Sequence, residues 1–314
     1  MLVNTAPGAQ AGAEAAWSLM QVAQPEPWLL CVGGLRAECG PRGLDGVDRL
    51  AVSRGLLTCC RKDILTCHLD SKGTCLILDG LFPVISALCE ENLDCHYYVL
   101  QVFTLWLKCL KDCLGEVWEA RGAPLLREDS TLQQRLTQVI WNNAESPLEG
   151  VSEFVHSSFR LLLEIYELDC ERFGDAEKPL YLALLQRVAS LPWEAKARYS
   201  PLSALLPYIG TSTVLEQIPE LPRDLLKCLS TNHLSPCASD AYRSLIQQQR
   251  RELCGAAAPG APPSEAELAE LWARRWRPAL LEALTSDAAL LQRNASSLLL
   301  PWTLRTFPAA VEAL

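Results

Sequence analysis

The chain has 314 residues, of which 49% are hydrophobic, 7% aromatic and 21% charged, with a mean hydropathy of +0.09. That is enough apolar material for a large core and too much for intrinsic disorder. A formal charge of −9 and a pI near 5.1 exclude generic charge-driven binding to DNA or anionic membranes.

From the start, Met1 to Pro7 lacks a basic stretch followed by a continuous apolar run, so no signal peptide is expected. The fourteen cysteines are then expected to be reduced, and most of them packed as small hydrophobes. Residues 1–70 read as an irregular helical segment interrupted by the glycine-rich stretch Gly33 to Gly46. The longest apolar candidate, Leu76 to Cys89, is broken by Asp79 and Pro83, so no membrane span is expected.

Residues 71–254 read as helical repeats. Apolar positions between Tyr98 and Val117 recur at steps of three and four, and Val151, Phe154, Val155, Phe159, Leu162, Leu163 and Tyr166 repeat the pattern. Five helix starts are predicted at Ser130, Ser146-Pro147, Ser200-Pro201, Ser235-Pro236 and Ser264, the last with Glu267 as a capping box. The predicted helices pair as 74–91 with 94–120, 130–143 with 147–172, 177–190 with 200–209, 221–229 with 236–253, and 264–285 with 287–300. Pro83 and Pro278 are expected to kink or shorten their helices. Residues 255–263 read as a flexible loop, and 264–314 as a further repeat whose apolar end suggests a truncated array.

The spacing of these units overlaps the HEAT and armadillo range. The predicted fold is therefore all-α, a HEAT/armadillo-like α-solenoid of stacked antiparallel helix pairs, because neither helix of such a pair can bury its stripe alone. An irregular helical bundle is the other arrangement these stripes allow.

Chemistry is sparse. The cluster Cys59-Cys60, Cys67-His68 and Cys75 lacks paired zinc-ligand spacing, so no metal site is predicted. There is no GxSxG elbow, P-loop or dinucleotide fingerprint. No catalytic residue is assigned and the chain reads as non-enzymatic. Asn294-Ala295-Ser296 matches a glycosylation sequon and is taken as chance.

One basic stretch stands out. From Ala241 onward there are eight arginines, no lysine and seven acids, a net of +1 that leaves −10 for residues 1–240. Trp272-Ala273-Arg274-Arg275-Trp276-Arg277 interleaves guanidinium groups with indoles. Arginine forks suit phosphates and aromatic faces can stack on unpaired bases, so Arg274, Arg275 and Arg277, with Arg250 and Arg251, are candidate RNA contacts. The alternative packs both tryptophans inward at i, i+4, with arginines snorkelling around them.

The most distinctive segment runs Val139-Ile140-Trp141-Asn142-Asn143-Ala144-Glu145-Ser146-Pro147-Leu148-Glu149-Gly150-Val151, followed by Phe159 and Leu161 to Leu163. It resembles the thyroid adenoma-associated protein (THADA) family, matching its pattern at Trp141, Pro147, Val151, Phe159 and Leu163. Leu225 to Leu229, Ser235-Pro236 and Ser244 to Ile246 extend the likeness, which covers roughly residues 75–310. These motif residues read as structural.

The resemblance implies a large cytoplasmic α-solenoid, of which this chain would be a fragment or short isoform. It implies a non-catalytic partner of an FtsJ-like methyltransferase that 2′-O-methylates the ribose of tRNA nucleotide 32 in the anticodon loop. S-adenosylmethionine would be bound by that enzyme and not by this chain. tRNA would be met through the complex. The competing expectations are a generic HEAT-type protein-binding adaptor without RNA function, and an enzyme with a cysteine nucleophile.

Overall fold

The computed structural model describes residues 45–67, 74–91, 95–127, 130–146, 149–256 and 264–308. The chain divides into two compact units, Met1–Ala176 and Glu177–Leu314. Among the described residues the fold is all-α, with no strand beyond an isolated bridge at Cys75. Of the expected N-terminal segment, residues 1–44 lie outside the described residues.

Among the described residues the first unit opens with α1 (Gly46–Cys59), capped by Asp45, whose Oδ1 accepts the Asp48 N–H at 2.8 Å. A π-helical turn, Leu76–Leu81, leads into α2 (Phe82–Glu90). Then come α3 (His96–Asp112), α4 (Leu114–Arg121), α5 (Thr131–Asn143) and the 25-residue α6 (Glu149–Phe173). Helix α2 packs on α3, and α5 on α6; α2 also meets α5, while α3 lies along α6. Like helices of successive pairs therefore stack, the arrangement that buries each stripe between neighbours. Leu100, Val102, Phe103, Trp106, Leu107 and Leu110 of α3 are all buried. Thr104 Oγ1 and Ser158 Oγ, 2.9 Å apart, pair within this apolar contact.

The second unit comprises α7 (Pro179–Ser190), α8 (Leu202–Ile209), α9 (Thr211–Gln217), α10 (Leu221–Lys227), α11 (Ser235–Ala256), α12 (Glu265–Arg275), α13 (Arg277–Leu284) and α14 (Ala289–Asn294). A second π-helical turn, Ala295–Leu299, precedes α15 (Leu300–Thr306). Again the pairs stack: α7 with α8, α10 with α11, then α8 on α11 and α10 on α13.

Several predicted boundaries shift for identifiable reasons. The helix expected over 94–120 breaks at Cys113, whose N–H reaches the carbonyls of both Cys109 and Leu110 as the turn tightens. The helix expected over 264–285 stops at Trp276. Pro278 would clash with the carbonyl four residues back, so it sits instead in the first turn of α13. Both π-helical turns run into a proline in the next first turn, Pro83 and Pro301. In each, a neighbouring helix satisfies a carbonyl of the widened turn. Trp106 Nε1 donates to the Ile77 oxygen at 2.7 Å, and Arg243 Nη2 to the Leu298 oxygen at 2.8 Å.

Ser130 and Ser264 cap as expected, the latter in a full capping box. Ser235 does not, because its hydroxyl donates to the Asn232 carbonyl. Nor does Ser200: α8 starts after Pro201 without a side-chain cap. At the fifth start, Pro147 and Leu148 lie outside the described residues.

Candidate nucleic-acid interface

The second unit carries the arginine-rich stretch. Trp272 and Trp276 lie on one face at i, i+4 and are buried, at 1% and 0% exposure. Trp272 Nε1 donates to Tyr242 Oη at 3.0 Å, and that hydroxyl lies 3.2 Å from Thr303 Oγ1. Trp276 meets the Tyr242 ring edge-on at 5.0 Å, and Trp302 does so at 6.0 Å. The aromatic cluster therefore knots α11, α12 and α15 together. Of the two arrangements the sequence allows, the inward packing of both tryptophans is the one observed, and neither indole is open to stack on a base.

The arginines between them do face outward. Arg274 is exposed and lies 3.5 Å from Glu270. Arg275 is exposed and sits on the rim of a 390 Å³ concavity with Glu220, Arg223 and Glu282, walled by Leu215, Pro219 and Pro278. Arg223 is itself held by Glu220 at 3.5 Å and Glu282 at 4.0 Å. Arg277 is half-buried, and its Nε is buried without a hydrogen-bond partner. Arg250 and Arg251 are exposed near the end of α11. Arg223 was not predicted, because only the packing of α10 on α13 brings it beside Arg275. What the surface offers an RNA is guanidinium groups for phosphate oxygens, in a setting where acids already engage some of them.

A part-buried ion pair braces the same unit. Arg198 Nη2 lies 3.0 Å from Asp224 Oδ2, and Nη1 donates to the carbonyls of Ala189 and Leu191. Burial pushes the Asp224 carboxyl up, opposed by Arg198 and Lys227. Tyr199 Oη donates to the Trp193 carbonyl at 2.6 Å, and Lys227 Nζ lies 3.9 Å from the centroid of the Trp193 ring.

The family-pattern residues form part of the first unit's core. Trp141 of α5 tilts against Phe159 of α6 with ring centroids 6.1 Å apart. Val151 and Leu163 are fully buried in the same unit. Gly150 has a steric reason: a Cβ there would lie 2.5 Å from Cε2 of Tyr97, whose ring rests on the helix backbone. Pro147 lies outside the described residues.

Cysteine chemistry is muted. Burial raises the Cys89 thiol to about 12 and those of Cys113, Cys228 and Cys237 to about 11. It also raises Cys67, Cys75 and Cys109. These thiols stay protonated at neutral pH, so none of them offers a ready thiolate. Among the described residues no group of three or more His, Cys, Asp or Glu is placed to hold a metal ion. No helix among them is long and apolar enough to cross a membrane. At the sequon, Asn294 Nδ2 is engaged with the Leu229 carbonyl at 2.8 Å.

Fold and surface together define an all-α protein of stacked helix pairs. Within that class, the chain is distantly similar to proteins named tRNA (32-2′-O)-methyltransferase regulator THADA. The Mus musculus protein is 26% identical over 187 residues, 58% of this chain and 9% of the mouse protein. The Gallus gallus protein is 26% identical over 125 residues, 40% of this chain and 6% of its own length. The Homo sapiens protein is 24% identical over 187 residues, again 58% and 9%. The matched curated proteins all carry this name, which supports the resemblance first read from the segment around Trp141. The chain spans about a tenth of the length of these relatives. No family model and no solved structure matches it.

Proposed function

We propose that the chain is a non-catalytic regulatory element of tRNA modification, acting in the cytoplasm. It would hold an FtsJ-like methyltransferase and tRNA together so that the ribose of nucleotide 32 receives a 2′-O-methyl group. The observation that carries this reading is the similarity, across more than half of the chain, to proteins named tRNA (32-2′-O)-methyltransferase regulator. The fold is compatible with it, because stacked helix pairs present extended side-chain surfaces. The enzyme would supply S-adenosylmethionine binding and the methyl transfer. The chain would supply orientation, which can contribute several kcal/mol when reacting groups are held in line.

Two measurements test this. The full-length protein purified from its own cells should bring down an FtsJ-like enzyme. Deleting its gene should remove the 2′-O-methyl group at tRNA position 32, read by mass spectrometry. Methylation that persists unchanged contradicts the reading. Within it, Arg274, Arg275 and Arg277 serve as phosphate contacts. Replacing all three with glutamate should weaken tRNA binding by the complex severalfold and flatten its salt dependence. An unchanged affinity and salt slope removes these residues from the RNA path.

A further inference from the structure

The first unit holds a second concavity, of 440 Å³, at the C-terminal end of α6. Its lining includes Asp169, Asp175, Arg127, Phe173, Leu126 and Pro124. Asp169 is only 2% exposed. Its Oδ1 accepts Trp118 Nε1 at 2.8 Å and the Leu125 N–H at 3.0 Å, and its Oδ2 accepts the Leu126 N–H at 2.9 Å. All three donors are neutral, and among the described residues no cation pairs with this carboxylate. A carboxylate has about four acceptor positions, so about one remains on Oδ2. The negative end of the α6 dipole closes the same side, where Gly174 turns left-handed (φ 72°) and the Asp175 N–H returns to the Cys170 carbonyl. Phe173, 37% exposed, adds an aromatic face. Arg127, exposed on the rim, is the one cation in the lining.

A buried carboxylate, a helix C-terminus and an open aromatic ring suit one chemistry, a planar cation. We infer that this concavity docks an arginine side chain from a basic segment of a protein partner. The sign of the surroundings agrees: residues 1–176 carry 14 Lys and Arg against 24 Asp and Glu, a net of −10. Such a surface repels RNA and attracts a protein that is basic because it binds RNA. The inference deepens the proposed function and rests on it for the partner's identity, though not for the chemistry of the site.

The test uses the full chain and, as probe, a tetra-arginine peptide with blocked ends, against a tetra-glutamate control. Ala123→Arg sets a competing guanidinium at the exposed rim, and Phe173→Ala removes the aromatic face. Glu153→Gln makes the same charge change as Ala123→Arg elsewhere on the unit. Tetra-arginine should bind the wild-type protein, and Ala123→Arg and Phe173→Ala should each weaken it at least fivefold. Glu153→Gln should leave it within twofold, with thermal melts confirming that all variants fold. Equal affinity for wild type and Ala123→Arg, or no binding at all, overturns the inference. In a second arm, Ala123→Arg should reduce copurification of the methyltransferase. If the enzyme copurifies equally with the variant, this inference fails and the proposed function stands. If no methyltransferase copurifies with the wild type while the peptide results hold, the proposed function fails and the site stands.

Discussion

Both units are helical among the described residues, and they differ in charge and in the polar groups they bury. The first, residues 1–176, has a net charge of −10 and eleven of the fourteen cysteines. The second, 177–314, has 14 Lys and Arg against 13 Asp and Glu, a net of +1. In the first, a buried carboxylate and a Thr104–Ser158 pair serve the core. In the second, an aromatic cluster centred on Tyr242 and the Arg198–Asp224 pair do so. Helix stacking is thus indifferent to net charge, since the stripes that pack are apolar in both. Surface charge is free to divide the work. The proposed phosphate contacts lie in the second unit, and the proposed cation site in the first.

The contrast can be broken unit by unit. The largest expected effect is Trp272→Ala, which removes a fully buried indole and the donor to Tyr242. It should destabilise the second unit by about 3–5 kcal/mol, read as lost amide-exchange protection in α11, α12 and α15, with α3 and α6 unchanged. Asp169→Ala should cost about 2–4 kcal/mol, because three buried N–H donors lose their acceptor. Its protection loss should centre on residues 114–126. Loss spread evenly over both units in either variant would contradict independent cores.

Alkaline pH should blur the contrast. Cys89, Cys113, Cys228 and Cys237 have folded values of about 11 to 12, above the ordinary thiol value near 9. The unfolded chain releases these protons first. The stability they contribute is therefore complete below about pH 9 and is lost as the pH rises through 11 and 12. Thermal melts from pH 8 to 11 should show a falling Tm in both units; a flat profile would show that these thiols are not buried. The smallest effect is expected from Gly150→Ala. The new methyl group must push aside the partly exposed Tyr97 ring, for about 1 kcal/mol in the first unit, measurable by urea denaturation.

Much of this architecture is legible in the sequence. The stripes of α3 and α6, the caps at Ser130 and Ser264 and the pairing of helices follow from three-four periodicity and local capping chemistry. The two π-helical turns do not, because the groups that satisfy their carbonyls come from other helices. Trp106 and Arg243 are distant in sequence from the carbonyls they satisfy. The same reason hides Asp169, whose donors lie about fifty residues earlier in the chain. The arginine stretch is legible, and so is the inward packing that the i, i+4 spacing of its tryptophans allows; the Tyr242 hydroxyl that receives Trp272 is not, because no local pattern connects the two. Ser200 and Ser235 looked like caps because Ser-Pro also fits a turn that ends elsewhere.

The most direct measurement of the central claim is reconstitution of tRNA ribose methylation from purified parts. With S-adenosylmethionine and tRNA, the full-length protein alone should transfer no methyl group. The FtsJ-like enzyme alone should act slowly at nucleotide 32, and the two together should act at least tenfold faster. Methyl transfer by the protein alone, or an enzyme rate unchanged by its addition, would contradict the account.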